Sequence, residues 1–244
     1  MKVAGIKHKD ISESWLWDYL EKFEHALKFA KDETGGLDLV VGPDYGLCSM
    51  EKDEKTMEFI RYDGLLSILK REVNGISPKT VILPGTTPKR IDDKYMGLVC
   101  PVIHEGKLVR ELFKETDVGE GQIAADNGLT YFRGDSSQNN LVIGGNKVAV
   151  EICSDHGKQI VDPDTFLEVI MAHDIFGGFH VGVSNDNFRR YALVCNSLRR
   201  VDSNIKTDNL VDCFEYNPSA RSKIRFVEPI FDKRDFMIYD LKQL

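Results

Sequence analysis

The strongest constraint in this sequence is a pair of short apolar runs, LDLVVG (37–42) and TVILPG (80–85), each set behind an amphipathic segment. A nearly unbroken apolar run, as opposed to an alternating one, reads as a strand buried on both faces of its sheet. The first run follows apolar residues at Leu16, Leu20, Phe23, Leu27 and Ala30. Steps of three and four residues align these on one helical stripe, and Gly35-Gly36 closes the helix. A second amphipathic helix is predicted from about Thr56 to Val73, with Met57, Ile60, Leu65 and Ile68 as its buried positions. Adding a short strand at Lys2–Ile6 gives βαβαβ, an order that puts helices outside and a sheet inside.

After residue 94 the pattern changes. YMGLVCPVI, KLVRELF, NNLVIGG and KVAVEIC read as strands, with Glu105-Gly106 and Gly144-Gly145-Asn146 as hairpin turns. Helical spacing returns at Phe166, Leu167, Ile170 and Met171. A long strand is then expected at IFGGFHVGVS (175–184), and a helix from Phe188 to Arg200. From residue 201 onward the signal weakens to polar loops and short strands, where Phe226 and Phe236 fit either core or an interface. There is no internal repeat, low-complexity tract or compositional break. The expectation is one α/β domain over residues 1–244, and 42% hydrophobic residues can fill its core without disulfide or metal staples.

Charge and cysteine usage narrow the function classes. A net charge of −7 argues against general affinity for nucleic acid or anionic membranes. No apolar stretch approaches the ~20 residues of a membrane helix, and the apolar run in MKVAGIKHKD is too short for a signal peptide. The five cysteines (48, 100, 153, 195, 213) are odd in number and form no CxxC pair. That pattern suits reduced thiols and a cytoplasmic location. Among six histidines, His173-Asp174 with His180 lacks zinc-ligand spacing, so no metal is expected.

Three ionisable residues stand where a buried strand gives way to a loop: Asp44 after LVVGP, Lys114 after KLVRELF, and Cys153 after KVAVEI. Strand ends of α/β sheets are where sites are commonly built. Singly, each has an ordinary explanation: a turn aspartate, a solvated lysine, a small buried thiol. Together they make chemical sense. A thiol is mostly protonated at neutral pH and needs a base or a neighbouring cation to become a nucleophile. A lysine beside it also stabilises a developing oxyanion, and a carboxylate can shuttle the proton to a leaving nitrogen.

LDLVVGPDYG, TVILPGTTPK, KYMGLVCPVIHEGKLVRELFKET, NNLVIGGNKVAVEICSDHG and HDIFGGFHVGVSND, in this order, resemble the successive segments of the nitrilase-like carbon–nitrogen hydrolases. The resemblance extends over residues 1 to about 188. It implies a four-layer αββα sandwich, Cys153 as nucleophile in an Ile-Cys-x-Asp motif, and Lys114 as oxyanion-stabilising lysine. It also implies a second glutamate that helps position substrate, for which Glu120 is the choice and Glu115 the competitor. The implied activity is hydrolysis of a small amide or nitrile through a thioester, without metal or organic cofactor, in a homo-dimer or larger homo-oligomer.

Two features depart from the family. Its general base is glutamate, and here Asp44 is shorter by one methylene. A loop shift at Gly42 and Gly46 would restore the reach, or Glu151 would substitute, since strand alternation puts it on the thiol's face. The helix and turn expected near FRRYALVCNSLRR lack the family's Glu-Asn, and residues 201–244 diverge. These departures support a second reading: a catalytically altered or inactive ligand-binding or interaction protein on the same fold. A third reading makes His156 or His180 the base of a cysteine enzyme.

Overall fold

Two mixed β-sheets share one apolar core, and helices cover the far face of the larger. The computed structural model describes residues 1–8, 15–47, 62–73, 75–155, 164–173, 191–197, 210–216 and 224–242. In chain order the elements are β1 (Lys2–Ile6), α1 (Trp15–Thr34), β2 (Leu39–Val41), α2 (Tyr62–Ile68), β3 (Val81–Leu83), β4 (Thr87–Arg90), β5 (Tyr95–His104) and β6 (Lys107–Phe113). They continue with α3 (Glu120–Asp126), β7 (Thr130–Tyr131), β8 (Asn140–Ile143), β9 (Asn146–Ile152), β10 (Leu167–His173) and β11 (Tyr191–Ser197). The last four are β12 (Val211–Tyr216), β13 (Ile224–Phe226), β14 (Phe231–Asp232) and β15 (Phe236–Asp240).

The nine-stranded sheet runs β14-β15-β1-β2-β3-β5-β4, with β6 and β7 also pairing with β5. Its centre, β1-β2-β3, is parallel, as expected for strands joined through α1 and α2. The six-stranded sheet runs β13-β12-β11-β10-β9-β8, with β9-β10-β11 parallel. Val3, Leu39, Val41 and Leu83 from the first sheet meet Val148, Val150, Val169 and Leu193 from the second in one buried cluster. On the first sheet's other face, Ala4, Val40 and Ile82 pack against Leu20, Phe23 and Leu27 of α1 and Leu65 of α2. The helical stripe predicted for α1 is therefore the face that it buries. The hairpin turns also fall where expected, with left-handed φ of 50° at Glu105 and 70° at Gly106, and 56° and 82° at Gly144 and Gly145.

Several expectations are corrected. Residues 166–171 are not helical, because β10 spans Leu167–His173. The helix predicted from Phe188 to Arg200 is contradicted over Tyr191–Ser197, which is β11. Both strands are buried on both faces, so neither carries the period-2 signal that separates a strand from a helix. The strand expected at 175–184 lies outside the described residues, as do Met57 and Ile60. Glu151 is not on the core face: Val150 and Ile152 point between the sheets, so Glu151 alternates to the opposite face of β9. Cys153 rejoins the core side because the strand has already ended and its φ is 50°. Phe236 on β15 belongs to the core, whereas Phe226 on edge strand β13 is exposed. No described helix is long and apolar enough to cross a membrane.

Candidate active site

The ends of β2, β6 and β9 supply the side chains. After β2 the chain turns through Gly42-Pro43-Asp44-Tyr45-Gly46, a loop tied down on every side. The Gly42 N–H donates to the Leu83 carbonyl at 2.8 Å, and Tyr19 Oη donates to the Pro84 carbonyl at 2.7 Å. A Cβ on Gly42 would sit 1.8 Å from that tyrosine oxygen, so only glycine allows the approach. Ser197 Oγ, from the end of β11, donates to the Asp44 carbonyl at 3.0 Å. Gly42 thus serves close packing, not the loop shift expected from sequence.

Asp44 is fully buried. Its Oδ1 accepts from Thr86 Oγ1 and from the Tyr45 N–H, the latter at 3.0 Å. Among the described residues its Oδ2 has no hydrogen-bond partner, and it lies 3.6 Å from Lys114 Nζ. Lys114, also buried, ion-pairs with Glu120 Oε1. Glu120 is saturated: Oε1 also accepts from Tyr45 Oη, and Oε2 accepts from the Val118 N–H at 2.6 Å. Burial alone would push the Lys114 ammonium toward neutrality, but Asp44 and Glu120 outweigh it and hold its pKa above the usual lysine range. Burial would raise the Glu120 carboxyl, yet Lys114, Tyr45 and Val118 hold it below the usual glutamate range. Both groups stay charged at neutral pH.

Cys153 begins a 3₁₀ turn directly after β9, with φ 50°, a conformation that side-chain-bearing residues rarely adopt. Such strain persists where the surroundings impose it, and it clusters at functional sites. Asp155 fastens the turn to the chain beyond Lys114 by accepting the N–H groups of Glu115 at 2.8 Å and Thr116 at 2.7 Å. The Cys153 thiol is pushed up to about 12, first by burial and then by the Asp44 charge. Lys114 and the backbone N–H groups of His173 and Ser154 pull the other way and do not prevail. The resting sulfur is therefore a protonated thiol that needs a base.

The structure thus brings Asp44, Lys114, Glu120 and Cys153 into one electrostatically coupled cluster. Glu115 is not part of it and accepts instead from Ser136 Oγ at 2.6 Å. His156 and His180 lie outside the described residues. His173 is present at the end of β10, with Nδ1 2.7 Å from Ser197 Oγ and its ring 5.1 Å from that of Tyr45. Among the described residues no group of His, Cys, Asp and Glu could hold a metal. Sequence reading gave no role to Thr86, Tyr45 and Ser197, and it met Asp155 only as the aspartate of the Ile-Cys-x-Asp motif. Thr86, between β3 and β4, and Ser197, at the end of a strand read as a helix, carry no signal that could have found them.

No family model and no curated protein matches the chain by sequence. Comparison of structures shows the fold. A variant of the amidase from Nesterenkonia sp. AN1, with acrylamide added at its active-site cysteine, superposes with a TM-score of 0.63 at 13% identity, covering 99% of this chain and 93% of that one. Saccharomyces cerevisiae Nit3, a member of branch 10 of the nitrilase superfamily, gives 0.60 at 17% identity, covering 99% and 89%. This is the nitrilase-superfamily fold. A glutamine-dependent NAD(+) synthetase from Cytophaga hutchinsonii matches it too, at 0.65 and 11% identity, with 99% of this chain covering 43% of that one. Within this nitrilase fold, the cluster offers a thiol, a buried carboxylate oxygen without a hydrogen bond, and a fixed cation. Together these are the parts of covalent acyl transfer.

Proposed function

We propose that this chain is a cysteine-dependent hydrolase of the non-peptide C–N bond in a small amide or nitrile. The observation that carries the reading is the unpartnered Oδ2 of Asp44, buried 3.6 Å from the Lys114 ammonium beside a thiol that cannot ionise unaided. For an amide, Asp44 Oδ2 takes the Cys153 proton as sulfur attacks the carbonyl carbon, and Lys114 stabilises the oxyanion. The tetrahedral intermediate collapses, the C–N bond breaks, and Asp44 returns the proton to the departing nitrogen. Water, deprotonated by the same carboxylate, cleaves the thioester to give a carboxylic acid and free thiol. Glu120 contributes to substrate positioning by holding Lys114, since both of its own oxygens are engaged.

The wider reading is a four-layer αββα sandwich, with the second sheet as one of its two inner layers. The outer face of that sheet buries Ile170, Ala192, Val194 and Phe214. The reading includes a single domain over 1–244 with a divergent stretch at 201–244, a reducing cytoplasmic setting for its free thiols, and homo-oligomeric assembly. The test is trapping and turnover with short amides and nitriles. Ammonia release, a covalent adduct at Cys153 by mass spectrometry, and loss of both in Cys153→Ala are expected. Absence of ammonia and adduct across the panel would overturn the proposal.

A further inference from the structure

An aspartate in place of a glutamate looks like a weakened base, but its surroundings are cut to its length. Thr86 is fully buried between β3 and β4, directly before β4 begins, and its Oγ1 donates to Asp44 Oδ1. The Tyr45 N–H bridges the pair, 3.0 Å from Asp44 Oδ1 and 2.8 Å from Thr86 Oγ1. One carboxylate oxygen is thereby held by two donors, and the other is left bare toward Lys114. Oδ2 stands 3.6 Å from Nζ. One more methylene would advance the carboxylate by about 1.5 Å, a C–C bond length, and drive it into the ammonium. The backbone can retreat only by breaking the bonds that tie the loop. The loop is fixed by the Gly42–Leu83, Gly46–Pro43 and Leu47–Thr86 backbone bonds and by Ser197. A Cβ on Gly85 would lie 2.2 Å from the Pro43 carbonyl, so β3 follows the loop without a gap.

We propose that Thr86 is a positioning residue for the base, and that Thr86 and Asp44 form a matched pair in which aspartate is the fitted length. The inference rests on the hydrolase reading for its kinetic arm only. Thr86 holds the carboxylate plane so that a single oxygen faces the reacting thiol. Since a misplacement of ~1 Å in a catalytic group costs on the order of 100-fold, the hydroxyl should appear in kcat and not in KM.

The kinetic experiment measures kcat and KM of Thr86→Val, Thr86→Ser and Asp44→Glu on an amide that the wild type turns over. Thr86→Val should lose tenfold or more in kcat with KM within threefold. Thr86→Ser should recover most of the rate, and Asp44→Glu should fall below wild type. A Thr86→Val enzyme within threefold of wild type, or an Asp44→Glu enzyme faster than wild type, would overturn the proposal. The second arm needs no turnover: a crystal structure of Asp44→Glu. The expected result is a displaced 42–47 loop or a glutamate turned away from Thr86. A glutamate keeping both the Thr86 bond and the Lys114 contact would refute the pairing, whatever becomes of the hydrolase reading.

Discussion

The loop after β2 and the start of α3 each bring one buried acid to Lys114, and they treat it in opposite ways. Glu120 spends both oxygens on fixed donors, Lys114 and Tyr45 Oη on one and the Val118 N–H on the other. Asp44 is held by one oxygen and leaves the second bare. The first arrangement favours a permanent charge; the second leaves a lone pair to exchange a proton. Two carboxylates on a single cation thus acquire separate duties from their hydrogen bonds and not from their residue type.

The largest expected effect strikes the exchanging acid. Asp44→Asn should lower amide turnover by about 10²–10⁴-fold, the usual contribution of a general acid–base group. It should also make Cys153 alkylation by iodoacetamide faster at about pH 10. The Asp44 charge is one reason the thiol sits near 12, and removing it lowers that value and raises the thiolate fraction. Opposite signs in the two assays would confirm the division of labour; a parallel fall in both would break it.

Next in size is the structural acid. Glu120→Gln should cost about 3 kcal/mol of stability, since it leaves a buried lysine short of a partner, and chemical denaturation measures it. Because the folded Glu120 carboxyl is held below its ordinary value of 4.5, it stabilises the fold above that pH and loses its contribution as pH falls further. Thermal melts of wild type should therefore drop on acidification below about pH 4.5, and the Glu120→Gln curve should be flatter there. A smaller effect is expected for Tyr45→Phe, about 1.5 kcal/mol for one bond to a charged group. If Tyr45→Phe instead matched Asp44→Asn in lost turnover, the two acids would not be separable.

Much of this arrangement was legible in sequence because it is built on simple periods. The α1 stripe, the β2 and β3 runs and the β5–β6 and β8–β9 hairpins each carry their own signal, and Asp44, Lys114 and Cys153 stand at strand ends. The second sheet was harder to read. In β10 and β11 apolar residues fill both faces, and Glu168 is buried among them, so alternation vanishes and helical spacing appears by coincidence. Lys114 and Glu120 are six residues apart, with a tight turn at Gly119 between them, φ 130°. Their contact depends on that turn and on a seven-residue helix too short for a periodic signature. Thr86 was invisible because a single hydroxyl after a glycine has no pattern; only the carboxylate it faces gives it meaning.

The pairing of β1 with β15 has a consequence for how the chain comes to be made. Lys2 lies opposite Asp240 and Ile6 opposite Phe236, so β1 waits for a strand that lies far later in the chain. Until then one edge of β1, an almost wholly apolar strand next to β2, presents unpaired amide groups to any passing chain. Synthesis at about 5–20 residues per second leaves that edge open for many seconds. β15 thus acts as the clasp of the growing sheet, and variants that lack 236–240 should be recovered mainly as aggregates and not as a smaller folded protein.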